Sequence, residues 1–135
     1  MAVTALHDFG WRMERELGPR LSEILGEGLE KTASRFDTID FVSPTFQVEL
    51  KCRRDRNKYG PVSSDTYKSW VVPSTKIEAA KRTDKETVIF YYFEGDSSLW
   101  RINHSDVDWS TIDEGVPVWH TAPHYFIPKK LWKRV

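Results

Sequence analysis

Seven consecutive residues, Thr87-Val-Ile-Phe-Tyr-Tyr-Phe93, form a nearly unbroken β-branched and aromatic run. A strand with one wet face alternates apolar and polar side chains, so this run suits a strand covered on both faces, central in its sheet. Layers of chain must then lie on either side of that sheet, and with the helical patterns at 4–31 and 74–82 to flank it the expected fold class is α/β. At 135 residues the chain has the length of one domain. With Cys52 as its only cysteine, it forms no internal disulfide and no cysteine-rich zinc site. Burial of apolar surface must hold it together, and six Trp, five Tyr and seven Phe can supply much of that surface.

Apolar residues at three- and four-residue spacings, Leu6, Phe9, Met13, Leu17, Leu21, Ile24, Leu25 and Leu29, predict helix from Thr4 to about Lys31, with Thr4 as candidate cap. Gly18-Pro19 predicts a break or kink within it. Strand patterns follow at 35–42 and 47–53, joined by a turn at Ser43-Pro44-Thr45-Phe46. Residues 57–69 read as loop, and Ser74 is placed to cap a helix from Thr75 to Arg82, with Glu78 near Lys81 or Arg82. Glu94 to Ser98 turns the chain into a returning strand at 99–104. Beyond 105, Pro117, Pro123 and Pro128 interrupt long elements, and Tyr125-Phe-Ile suggests a short edge strand.

Twenty basic residues balance twenty acidic ones, so net charge does not steer the chain toward a polyanion. Distribution says more. Residues 51–58 hold five basic side chains against one acidic, and Lys129, Lys130, Lys133 and Arg134 end the chain without an acid. No apolar run approaches the ~18 residues that span a bilayer, and the start lacks the order of a signal peptide, so an intracellular, soluble protein without membrane contact is expected.

The hairpin carries the chemistry. In its second strand Gln47, Glu49 and Lys51 point to one face and Phe46, Val48 and Leu50 to the other. A four-residue turn pairs residues whose numbers sum to 89. Phe41 then opposes Val48, Ile39 opposes Leu50, Asp40 opposes Glu49 and Thr38 opposes Lys51. A one-residue slip would bring Asp37 opposite Lys51 but would scramble the apolar face, so Asp40 is preferred. Two carboxylates on rigid strands suit Mg²⁺, which takes hard oxygen ligands and keeps several waters. Lys51 beside them can act on a water or neutralise charge on a phosphate, and together these are parts for phosphodiester hydrolysis. The same three residues can equally form a structural ion-pair cluster. Histidines 7, 104, 120 and 124 lack zinc spacing and read as surface or packing residues, while Cys52 points to the apolar face as a small hydrophobe. Trp109, Trp119, Trp132 and Tyr125 suit packing better than base stacking.

The order helix, Asp40 on a strand, Glu49-Leu50-Lys51 on the next, polar loop, helix and strand resembles the PD-(D/E)XK nuclease superfamily, in particular small viral and phage-type or Holliday-junction-resolvase-like members. Residues 8 to about 102 fit that plan, with about 105–135 as a C-terminal extension. Asp40 is followed by Phe-Val-Ser-Pro instead of being preceded by proline, a departure in the least regular motif. The resemblance implies a restriction-endonuclease-like mixed β-sheet core flanked by helices, of αβββαβ type, and a Mg²⁺-dependent DNA endonuclease, with Mn²⁺ as substitute. Asp40 and Glu49 would be metal ligands and Lys51 catalytic. Gly10-Trp-Arg-Met-Glu14 is similar to a helix motif that adds a third carboxylate, which puts Glu14 among the ligands, with Glu16, Glu23 and Glu27 as competitors. Tyr67 and Lys76 fall where small members carry a tyrosine loop and a lysine at a helix start, and the free amides there make a phosphate point with Lys76. Arg53 and Arg54, then Arg56 and Lys58, extend from the strand toward backbone phosphates. The partners implied are duplex or branched DNA and a second copy of the chain. A nucleic-acid-binding or assembly protein that keeps the fold without turnover is the alternative.

Overall fold

A computed structural model describes residues 5–32, 39–118 and 120–135, with side chains from Phe9 onward. Thr4, Asp37, Thr38, Trp119 and the side chain of His7 lie outside the described residues, as does most of the strand expected before Ile39. The fold is mixed α/β. Helix α1 (Ala5–Leu25) is followed by β1 (Glu30–Lys31), β2 (Phe41–Val42) and the long β3 (Phe46–Arg53). A ribbon of β4 (Arg56–Asn57) and β5 (Gly60–Pro61), strand β6 (Ser69–Pro73) and helix α2 (Ser74–Lys81) lead to β7 (Glu86–Phe93) and β8 (Ser98–Asn103). Three short 3-10 turns, β9 (Asp113–Gly115), β10 (His124–Pro128) and β11 (Lys133–Arg134) complete the order.

Six strands form the main sheet in the order β1-β2-β3-β7-β8-β11, with β3 and β7 parallel and the other neighbours antiparallel. The apolar run is β7, and its alternation feeds two cores. Val88 and Phe90 pack with Val48, Leu50 and the α1 residues Phe9, Met13, Leu17 and Leu21 on one face. Ile89, Tyr91 and Phe93 pack with Trp70, Val72, Ile77, Ile127 and Trp132 on the other. Five of these β7 residues, Val88 to Tyr91 and Phe93, are fully buried, as a doubly covered strand requires.

The expected break in the first helix is absent. Helix α1 runs unbroken through Pro19, whose missing N–H frees only the carbonyl of Arg15, and both residues are exposed to water that can satisfy it. Gly18 serves packing instead: a Cβ there would lie 3.4 Å from the Phe41 ring, so glycine lets the helix sit close on β2. The helix ends at Leu25, before the expected Lys31, because Gly26 at φ 72° closes it with an N–H to the Ser22 carbonyl at 2.9 Å.

Three further expectations are corrected. Residues 57–69 are not all loop, since Gly60–Pro61 pairs with Arg56–Asn57, and β6 begins at Ser69. The segment Tyr125-Phe-Ile is not an edge: β10 is the middle strand of a three-stranded sheet, β6-β10-β9, that covers the α2 side of the main sheet. Ser74 does not cap α2. Pro73 holds the cap position, and the Ser74 hydroxyl donates instead to Glu114 Oε2 at 2.6 Å, tying α2 to β9. On that helix the Glu78–Lys81 pair does form, at 3.4 Å.

Candidate active site

The hairpin register matches the sum of 89, with Phe41 paired to Val48 and Val42 to Gln47. Its turn is held by Ser43 N–H to the Phe46 carbonyl at 2.8 Å, and by Glu27, whose Oε1 accepts from Ser43 Oγ at 2.7 Å and Thr45 N–H at 3.1 Å. Glu27 is thus a brace for the turn, away from the proposed ligands. At Asp40 the ladder stops. Its N–H donates to the Val48 carbonyl at 3.1 Å, and its carboxylate reaches across to accept the Leu50 N–H at 2.9 Å. The expectation that Asp40 continues the paired strand is therefore corrected: its side chain replaces the missing backbone partner along β3.

This placement brings three carboxylates into electrostatic range. Asp40 is close enough to Glu49 and to Glu14 for its charge to raise the pKa of both. Glu49 is buried, and its carboxyl is pushed well above the ordinary carboxylate range by that burial and then by the Asp40 charge. Glu14 shifts the same way, raised first by burial and also by Asp40, and countered by an ion pair with Lys31 on β1. Glu16 pairs with Arg12 on the exposed side of the helix at 3.8 Å. Among the described residues no three His, Cys, Asp or Glu side chains converge as a metal-ligand set, so Glu14 is near the pair without completing a cage.

Two lysines complete the cluster. Lys51 is on the Glu49 face of β3, and burial lowers its pKa from the ordinary value, with Arg53 and Lys76 adding to this against the pull of Glu49. Lys76, expected at a phosphate point beside Ser74, turns inward in the structure, with Nζ 3.2 Å from Glu49 Oε2. That oxygen is buried and has no well-aligned hydrogen bond. A buried carboxylate oxygen that meets an ammonium without a well-aligned hydrogen bond, beside a second carboxylate, fits a hard divalent cation, for which two protein ligands and retained waters suffice.

The remaining candidates diverge. Arg53 forms a two-pronged pair with Asp55, at 3.0 and 2.7 Å, and lies over the Tyr67 ring at 5.3 Å. Arg54 points to the opposite face, over Phe9 at 4.7 Å, so the two arginines do not make one patch. Lys58 sits over Tyr59. Cys52 is half-buried against the α1 core as expected, and burial and the nearby Asp40 push its thiol up to about 12. His120, read from the sequence as a surface or packing residue, lies beside the cluster. Its ring is tilted against that of His124, centroids 4.4 Å apart, and slight burial together with His124, Lys51 and Arg53 lowers its pKa. Its i, i+4 spacing from His124 is the one local signal, and only the β9–β10 return brings residue 120 beside β3.

No known protein-family profile matches the chain, and no curated protein matches it in sequence. In structure it is similar to D212, a nuclease from a fusselovirus, with a TM-score of 0.60 and 16% identity over 99% of this chain and 89% of that one. The two share a fold. Among the described residues no helix is long and apolar enough to cross a membrane.

Proposed function

We propose that the chain is a divalent-metal-dependent DNA endonuclease of the PD-(D/E)XK type. The observation that carries this reading is the buried Glu49 carboxylate, held beside Asp40 with Lys51 on the same face and with the Lys76 ammonium at its Oε2. The fold shared with a viral nuclease supports it. Asp40 and Glu49 would hold Mg²⁺, or Mn²⁺ in its place, with Glu14 as an outer contributor once released from Lys31. Such an ion supplies charge neutralisation at a phosphate and a more acidic water.

The chain's own residues do the rest. Leu50 N–H fixes the Asp40 carboxylate, and burial in β3 fixes Glu49. Lys51, made easier to deprotonate by burial, takes a proton from the attacking water or faces the charge that develops on the phosphate. Lys76 positions Glu49 and balances its charge until the cation arrives. DNA, duplex or branched, is the substrate class, and a pair of copies would offer two sites to two strands. Sedimentation showing only monomer with full activity would remove the dimer.

A second reading has its own support. Lys76 already faces Glu49, and no third ligand completes a cage among the described residues, which favours a nucleic-acid-binding protein that keeps the fold without turnover. One experiment separates them: incubation with duplex, branched and single-stranded DNA in Mg²⁺, Mn²⁺ or chelator. Cleavage that needs the metal supports the nuclease, and binding without cleavage in all conditions supports the second reading.

A further inference from the structure

One cross-strand row connects the candidate site to the far edge of the main sheet. Lys51 pairs with Tyr91, Tyr91 with Trp100, and Trp100 with Arg134 of β11. Aligned neighbours project to the same face, and three strand spacings of ~4.8 Å put the ends about 14 Å apart. Tyr91 itself is buried beneath Trp70, Ile127 and Trp132, and the surface that runs alongside, from Arg53 past Trp100 to Arg134, is a trough in three joined depressions. The first, beside Arg53 and His120, is about 790 Å³ and shares Tyr67, Lys68 and Ser69 with the second, of about 660 Å³. The second shares Lys130 with the third, about 770 Å³, at the sheet edge.

The chain as a whole is neutral, yet this trough is lined by eight Lys and Arg against three Asp. Two of those aspartates are already paired, Asp55 with Arg53 and Asp65 with Lys129. Lys129 and Arg134 also stand over Trp100, at 5.4 and 5.8 Å, which holds cations along the row. Tyr67, 41% exposed, offers a ring at the junction of the first two depressions.

We propose that this trough is a nucleic-acid backbone track, and that Lys130, Lys133 and Arg134 form its distal end, so that the C-terminal segment is part of the substrate interface. The inference rests on the nuclease reading for its substrate class. An elongated, cation-lined path that begins at Arg53, two residues along β3 from Lys51, and carries an exposed aromatic fits a phosphodiester chain better than a compact anion. A length of about 14 Å matches the axial rise of about four base pairs. The linear sequence conceals this role, since residues 130–134 approach residue 51 only through the sheet.

The test is binding in chelator, where no cleavage occurs. Fluorescence anisotropy with a labelled duplex of about 20 base pairs compares the wild type with Lys130→Ala/Lys133→Ala/Arg134→Ala, with the milder Lys130→Gln/Lys133→Gln as a check on folding. Arg15→Ala/Arg20→Ala, on the exposed side of α1, is the charge control. The trough predicts affinity lower by roughly tenfold or more at low salt, and a log–log salt slope shallower by ~0.9 for each phosphate left without its cation. A shift no larger than that of the control overturns the proposal, as does preference for phosphatidylserine vesicles over the duplex or no duplex binding by the wild type. The nuclease reading fails separately, if the wild type binds through the trough but does not cleave in Mg²⁺ or Mn²⁺.

Discussion

Lys76, on the first turn of α2, places Nζ 3.2 Å from Oε2 of Glu49 at the middle of β3. The ammonium partly offsets the burial and the Asp40 charge that raise the Glu49 pKa. Replacing Lys76 by Gln should push that pKa further up. Divalent affinity, measured by Mn²⁺ titration calorimetry, should then fall more at pH 6 than at pH 8, because a protonated carboxyl does not bind the ion. An equal loss at both pH values would make Lys76 a binding group in its own right.

A raised carboxylate pKa also predicts a cost in stability. The folded state holds the Glu49 proton more tightly than the unfolded chain, so the contribution of this group to stability is fully present below the ordinary value of 4.5 and is lost as pH rises through the folded pKa. Glu49→Gln should therefore raise the Tm at pH 7 by a few degrees, on the order of 1 kcal/mol, and leave it unchanged near pH 4. Thermal unfolding at the two pH values checks this. A lower Tm at pH 7 would mean that the Lys76 pair outweighs the burial of Glu49.

Lys51 and Arg53 should separate chemistry from binding. Lys51→Ala should lower turnover by about a hundredfold or more while DNA affinity changes little, since an interaction gained only in the transition state acts on rate. Arg53→Ala should weaken binding by a few-fold and make the log–log salt slope shallower by about one. Cleavage by Lys51→Ala at the wild-type rate would return Asp40, Glu49 and Lys51 to the role of an ion-pair cluster.

Packing supplies two independent checks. At Gly95, in the β7–β8 turn, a Cβ would collide with the Val62 carbonyl oxygen, so Gly95→Ala must displace backbone and should cost about 1–3 kcal/mol. Ser74→Ala and Glu114→Gln should each destabilise by about 1 kcal/mol and couple in a double-mutant cycle, because they share one hydrogen bond. Additive effects would restore Ser74 to a local role at the helix start.

Where local pattern and tertiary need coincide, the sequence is readable. The Thr87–Phe93 run can be satisfied only at the centre of a covered sheet, and the Ser43–Phe46 turn sets the pairing of Phe41 with Val48. Asp40, Glu49 and Lys51 are legible as neighbours for that reason. What escapes the sequence depends on distant partners. Strand β6 has only Trp70, Val71 and Val72 between Ser69 and Pro73, and it becomes a strand by pairing with β10, more than fifty residues later. Pro19 suggests a helix break because its cost is local, whereas the packing of Phe9, Met13, Leu17 and Leu21 that outweighs it is against the sheet. The first turn of α2 alone suggests a cap at Ser74 and a phosphate point at Lys76, while Glu114 and Glu49 decide where the two side chains point.

The most direct measurement is single-turnover cleavage of a labelled DNA substrate by wild type and Glu49→Gln side by side, each in Mg²⁺ and in chelator. The account predicts cleavage by the wild type in Mg²⁺ alone, and a rate for Glu49→Gln lower by more than about a hundredfold, with both proteins folded and binding DNA alike. Cleavage that persists in chelator, or a Glu49→Gln variant as active as the wild type, would contradict it.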